Sequence, residues 1–254
     1  MKQISERILD KKCFIFDIDG TLVDSMGMWN LVDQTAIFNA SGQMVEAEEI
    51  KALRDSVLYA ENNLEGNIYD IFYAEVIEQY GLGISVDEYK QARHNYAEYI
   101  STHELDFKPG AGEFLQIIKM LGKKIGIATT TTQRQLDIYS EQNEKMKTKA
   151  SLKKLANVII ACEDVTRKKP DPEAYLKVVE RLGVRKQDCI VFEDSLSGAI
   201  SAKEAGLEVV AVYDESAKGE QYYLDQISDY KIESFDEIIK ALGLELLQEQ
   251  IQRQ

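Results

Sequence analysis

Short runs of consecutive apolar residues punctuate the chain: Phe14-Ile15-Phe16, Ile125-Gly126-Ile127-Ala128, Val158-Ile159-Ile160-Ala161, Ile190-Val191-Phe192 and Val209-Val210-Ala211-Val212. A strand with one wet face alternates apolar and polar positions. These runs do not alternate, so they predict strands covered on both faces. Between them lie segments of helical period that stop at glycine. Phe114, Leu115, Ile118 and Leu121 end at Gly122, and Tyr175, Leu176, Val179 and Leu182 end at Gly183, the residue that most readily takes the left-handed turn closing a helix. Strand alternating with helix predicts an α/β fold, a parallel sheet of the doubly wound kind.

The alternation stops between about residues 26 and 104, where only helical period is found. Ile68, Ile71, Phe72, Val76 and Tyr80 form one stripe, and Tyr89, Tyr96, Tyr99 and Ile100 suggest another. The expectation is an all-helical domain, residues 26–104, inserted into a sheet domain made of residues 1–25 and 105–254. Its charge differs as well. It holds four basic residues (Lys51, Arg54, Lys90, Arg93) against 14 acidic ones, −10 of the chain's −14. Glu141 to Lys154, polar and rich in lysine, reads as an exposed helix or loop between two core elements.

Composition narrows the function. The chain has 254 residues, 44% of them hydrophobic and 29% charged, which is ordinary for a globular chain. A surface with 44 acidic and 30 basic residues repels nucleic acid and anionic membranes. No apolar run approaches the roughly 18 residues of a membrane span, and the first twelve residues lack the apolar stretch of a signal peptide. Cys13, Cys162 and Cys189 form no CxxC pair and read as reduced core thiols of a cytoplasmic protein. The two histidines, His94 and His103, lie nine apart in one Tyr-rich stretch, which disfavours a histidine zinc site or a Ser-His-Asp triad. Catalysis, if present, rests on carboxylates.

Those carboxylates gather at predicted strand ends, where open α/β sheets bind ligands. The first run leads into Asp17-Ile18-Asp19-Gly20-Thr21, two acids followed by a glycine that permits a sharp turn. The second leads into Thr129-Thr130-Thr131-Thr132, hydroxyls that can bind phosphate oxygens or simply cap a helix. Arg167-Lys168-Lys169-Pro170-Asp171-Pro172 offers a lysine that could neutralise a phosphate, or a solvated turn. The fourth run ends in Glu193-Asp194-Ser195, acids suited to a hard cation or to capping the next helix. Together the four segments describe one edge with acids, hydroxyls and a lysine, a composition that suits Mg²⁺ and a phosphoryl group.

On these segments the chain resembles the haloacid dehalogenase-like (HAD) hydrolase superfamily, in the branch of small phosphatases and β-phosphoglucomutase-like enzymes. The four motifs match in order at Asp17-Ile18-Asp19-Gly20-Thr21, Thr129, Lys169 and Glu193-Asp194. The resemblance covers nearly the whole chain and implies a Rossmann-like core with a helical cap after the first motif. It implies that Asp17 attacks phosphorus to give an aspartyl-phosphate, and that Asp19 acts as general acid and then base. It implies Mg²⁺ held by Asp17, the Asp19 carbonyl, Asp194 and Glu193, the last directly or through water, with Thr129, Thr130 and Lys169 as phosphate-binding residues. Family members that transport ions carry Thr where this chain has Asp19, and the dehalogenases lack that acid, so both activities are disfavoured.

Within the branch, mutases usually carry a lysine at the position of Thr132 and a Gly-Val-Ser-Arg-like run in the cap, neither present here. Lys51 and Arg54, three apart on a helical face, could cradle a distal anion or be ordinary surface charges. Trp29 could stack on a sugar or pack in the cap. The reading is therefore a phosphatase of small phosphomonoesters such as sugar or polyol phosphates. A β-phosphoglucomutase-like mutase is the alternative, and a non-catalytic phosphate-binding or signalling module the more remote one.

Overall fold

The computed structural model describes residues 2–58 and 68–252, which form two compact units, Met1–Ser25 with Leu105–Gln254, and Met26–Glu104. The first unit opens with helix α1 (Lys2–Asp10) and strand β1 (Cys13–Phe16). The second holds α2 (Met28–Ser41), α3 (Ala47–Leu58), α4 (Ile68–Gln79) and α5 (Val86–His103). The first then resumes with α6 (Ala111–Met120), β2 (Lys124–Ala128), α7 (Gln133–Asp137), α8 (Glu144–Lys149), α9 (Leu152–Leu155) and β3 (Val158–Ile160). It ends with α10 (Glu173–Leu182), β4 (Cys189–Glu193), α11 (Leu196–Glu204), β5 (Glu208–Val212), α12 (Gln221–Ile227), β6 (Tyr230–Ile232) and α13 (Phe235–Gln252).

The six strands are parallel, in the order β3-β2-β1-β4-β5-β6. β1 lies where the order reverses, the place at which a doubly wound sheet opens a crevice beyond its carboxyl ends. Both faces are covered, as the unbroken apolar runs predict. On one face Cys13, Ile15, Val191 and Val209 pack with Tyr175 and Val178 of α10 and with Ala199 and Ala202 of α11. On the other, Phe14, Phe16 and Phe192 meet Phe114 of α6, and Phe16 and Phe192 meet Phe235 of α13, with ring centroids 5.5–6.3 Å apart. α10 approaches β2 so closely that a Cβ on Gly126 would lie 2.4 Å from Val178 Cγ1. Gly183 ends α10 in the left-handed conformation, φ 60°. Among the described residues no helix is long and apolar enough to cross a membrane.

β6 has no counterpart in the sequence reading, because it is three residues long with Lys231 at its centre and pairs with β5 alone. The stretch Glu141 to Lys154 is not merely exposed either. Asn143, Met146, Ala150 and Leu152 turn inward and are buried, a spacing of three, four and two that no single helix period produces.

The helical unit has its own core, which includes Ile37, Ile50, Phe72, Val76 and Tyr89. At its centre Asp33 of α2 is fully buried. Its carboxylate accepts from Arg54 Nη2 of α3 (2.7 Å), from Tyr89 OH (2.8 Å) and Arg93 Nη2 (3.1 Å) of α5, and from Arg93 Nε. Arg93 Nη1 donates to Tyr73 OH of α4 at 2.8 Å. Arg54 is therefore engaged within the unit, donating also to Asn30 at 2.9 Å, while Lys51 is exposed. Trp29 is 40% exposed rather than packed in this core, with the Arg93 guanidinium 5.3 Å over its ring. Tyr99 departs from the expected stripe: it is exposed and stacks on His103.

Candidate active site

The site grows from the carboxyl end of β1. The ladder to β4 continues one residue past the strand, Asp17 N–H donating to Phe192 O at 3.1 Å. The chain then winds tightly: the N–H groups of Leu22 and Val23 both return to Ile18 O, at 2.8 and 2.9 Å. Gly20, at φ 85°, takes the left-handed conformation that this reversal needs and that a side chain would resist. Lys108 ties the turn down, its Nζ donating to Gly20 O, Tyr213 O and Asp214 Oδ2, each at 2.7 Å. The two acids of the motif thus leave the strand end in different surroundings.

Asp17 is buried at the bottom of the site, its Oδ1 accepting from Lys169 Nζ at 2.6 Å. The same ammonium reaches Glu193 Oε1 at 2.5 Å and lies 4.9 Å over the ring of Tyr175. Tyr175 OH also donates to Glu193 Oε1, at 3.0 Å. Glu193 Oε2 accepts from the N–H groups of Asp194 and Ser195 and from Ser195 Oγ, at 3.0–3.1 Å. Both oxygens of Glu193 are thus committed, and α11 passes so near that a Cβ on Gly198 would sit 1.7 Å from Oε1. Asp194 is held by Thr21 Oγ1 at 2.6 Å.

Ligand oxygens of Asp17, Glu193 and Asp194 lie within 4.8 Å of one another, all three residues buried. Three acids face one lysine, and the titration of the group reflects it. Burial pushes the Asp17 carboxyl up to about 7, with Glu193 and Asp19 adding to that and Lys169 opposing it. Burial, then Glu193 and Asp17, raise Asp194 well above the ordinary carboxylate range. Burial would lower Lys169, but Asp17 and Glu193 hold its ammonium well above its ordinary value. The residual negative charge and the all-oxygen donor set fit a hard divalent cation of the Mg²⁺ type.

Asp19 stands apart from that cluster among hydroxyls. Its Oδ1 accepts from Ser25 Oγ and Tyr139 OH, both at 2.7 Å, and its Oδ2 from Thr131 Oγ1. Thr129 is buried at the end of β2, its N–H bonded to Ile160 O and its hydroxyl accepting from Thr131 N–H at 3.1 Å. Thr130 is exposed. Thr132 caps α7, its hydroxyl accepting from Gln135 N–H at 3.2 Å. So the four threonines do four different things, which their identical side chains conceal in the sequence.

Several contributors were not singled out from sequence as site residues. Thr21 lies inside the first motif, and Tyr175 follows Pro172 by three positions on the helix that the prolines introduce. Tyr139 had no sequence signal. It belongs to a π-helical turn, Ile138–Gln142, closed by the bond from Asn143 N–H to Ile138 O, five residues back.

The chain is similar to known proteins. The family model described as haloacid dehalogenase-like hydrolase matches residues 11–206. A Thermotoga maritima protein named phosphorylated carbohydrates phosphatase is 31% identical over 198 residues, 76% of this chain and 81% of its own. Protein CbbY of Rhodobacter capsulatus is 29% identical over 223 residues, 84% of this chain and 90% of its own. Among solved structures, a Thermotoga maritima protein described as a candidate β-phosphoglucomutase superposes with a TM-score of 0.71 at 26% identity, covering 91% of this chain and 98% of the other.

Proposed function

The chain belongs to the haloacid dehalogenase-like hydrolase family, and from that premise we propose that it is a Mg²⁺-dependent phosphatase of small phosphomonoesters, sugar or polyol phosphates above all. The observation that carries the reading is the convergence of Asp17, Glu193 and Asp194 within 4.8 Å beside Lys169, which bonds the first two. In this mechanism Asp17 attacks phosphorus and the bond to the leaving oxygen breaks, giving an aspartyl-phosphate. Asp19 supplies the proton that the leaving oxygen takes up. It then removes a proton from the water whose attack on phosphorus frees phosphate and regenerates Asp17. Asp17, Asp194 and the Asp19 carbonyl would hold Mg²⁺, which when bound offsets the repulsion between the nucleophile and the phosphate. Glu193, with both oxygens engaged by protein donors, serves that set from behind by fixing Lys169 and the start of α11. Lys169, Thr129 and Thr130 take the phosphoryl oxygens as charge builds on them.

The substrate class is supported by a relative named phosphorylated carbohydrates phosphatase and by the −10 charge of residues 26–104, which disfavours a highly anionic substrate. Those residues take the part of a cap limiting substrate size. A mutase must hold a second phosphate, and the position where it would carry lysine is Thr132, spent on capping α7. The reading of Cys13, Cys162 and Cys189 as reduced thiols, drawn from their spacing in the sequence, extends the proposal to the cytoplasm. The test is phosphate release from a panel of sugar and polyol phosphates, with and without Mg²⁺, beside Asp17→Asn. Metal-dependent release that the variant loses is the expected result. Release from no member of the panel, or full release by Asp17→Asn, overturns the reading.

A further inference from the structure

We infer that Tyr139 is a positioning residue for Asp19: together with Ser25 it anchors Oδ1 of the carboxyl group, leaving Oδ2 as the oxygen that carries the proton. The inference rests on the phosphatase reading and deepens it by separating two atoms that are chemically identical in the free side chain.

The environment breaks their equivalence. Oδ1 accepts two hydroxyl donors, Ser25 Oγ and Tyr139 OH, at 2.7 Å each, from side chains that are 2% and 1% exposed. To protonate Oδ1, one of those buried donors would have to give up its bond or reverse it. Oδ2 accepts from Thr131, which lies nearer to solvent at 9% exposure. A threonine hydroxyl is donor and acceptor alike and rotates about one bond, so it can turn and accept from a protonated Oδ2. The phenol is less versatile. Tyr139 OH is buried and spends its one proton on Oδ1, so it serves as a donor there. When the bond from phosphorus to the leaving oxygen breaks, that oxygen's electron pair takes the proton from Oδ2. The carboxylate left behind already has two donors on Oδ1, and nothing must reorganise to stabilise it.

Backbone geometry supports a specific task for this side chain. Tyr139 lies in the π-helical turn Ile138–Gln142, between the buried side chains of Leu136 and Ser140. A π turn inserts one residue into the helical repeat, costs hydrogen-bond quality and recurs at functional sites. Here it brings a phenol to the general acid from an element that shares no motif with it. If the ring only filled space, phenylalanine would serve equally.

The test compares Tyr139→Phe with the unmodified protein on two aryl esters of similar size, phenyl phosphate and p-nitrophenyl phosphate. Nitrophenolate leaves with little help from an acid, phenolate does not. kcat/KM for phenyl phosphate should fall roughly ten- to a hundredfold, and that for p-nitrophenyl phosphate several times less. In an Asp19→Ala background the same substitution should cost nothing further, because its effect runs through Asp19. An equal loss on the two esters, no loss on either, or a further loss without Asp19 overturns the inference. Should Tyr139→Phe fail to fold, Ser25→Ala removes the other Oδ1 donor and must show the same dependence on leaving group. If the unmodified protein with Mg²⁺ releases phosphate from neither ester and from no sugar or polyol phosphate, it is the phosphatase reading that fails, and this inference falls with it.

Discussion

Gly198 carries more constraint than its place in a helix suggests. In an exposed helix, glycine to alanine is stabilising by up to about 1 kcal/mol. At Gly198 the added Cβ would lie 1.7 Å from Glu193 Oε1 and 2.1 Å from its Cδ. That carboxyl group cannot yield, since Lys169, Tyr175, the N–H groups of Asp194 and Ser195 and Ser195 Oγ all bind it. The sign is therefore reversed. Gly198→Ala should lower thermal stability by about 1–3 kcal/mol and cut kcat at least tenfold, because the displaced group is the one that fixes Lys169 beside Asp17. A melting curve and a steady-state assay check it; an alanine variant as stable and active as the parent would show that Glu193 is not held as described.

At the scale of elements, the helical unit is tied by one carboxylate. Asp33 of α2 receives Arg54 from α3 and Tyr89 and Arg93 from α5, and Arg93 reaches Tyr73 of α4. A fully buried carboxylate shared by two guanidiniums is costly to desolvate, but removing it leaves two cations facing each other without a partner. Asp33→Asn keeps the shape and deletes the charge, so it should destabilise the protein by about 3–5 kcal/mol in a urea titration. The companion double variant Asp33→Asn with Arg93→Met should recover part of that loss. Loss of stability in the double variant equal to the sum of the two single losses would rule out this role.

At the scale of the whole molecule, the net charge of −14 meets a buried acid cluster that lacks sufficient positive charge of its own. With no metal, Asp17 keeps its proton to about pH 7, against an ordinary value of 3.8. Between those limits the folded protein binds more protons than the unfolded chain. This group's contribution to stability is thus present at low pH and is lost as pH rises through about 7. Asp194 is shifted in the same direction. A divalent cation binds the deprotonated acids and competes with those protons, so Mg²⁺ should raise the melting temperature more at pH 8 than at pH 6. A thermal-shift series across that range reads the effect directly, and an increment independent of pH would argue against metal binding at these acids.

What the sequence by itself determined is the part written in local pattern. Unbroken apolar runs separated by helical periods predict a parallel sheet covered on both faces, because that arrangement buries every side of each run. Two acids and a glycine after the first run place chemistry at a strand end for the same reason. Tertiary structure alone decided which identical side chain does what. Thr131 meets Asp19 and Thr132 the N–H of Gln135, and hydrogen bonds between residues over a hundred positions apart leave no periodicity to read. Tyr139 and Asp19 are 120 positions apart, and a π turn, a departure from the regular repeat, brings them together. The short edge strand β6 escaped for a related reason: its lone neighbour β5 supplies the pairing that its own three residues do not announce. Local pattern fixes which surfaces must be buried; the partner that each buried polar atom finds is settled only when distant segments pack.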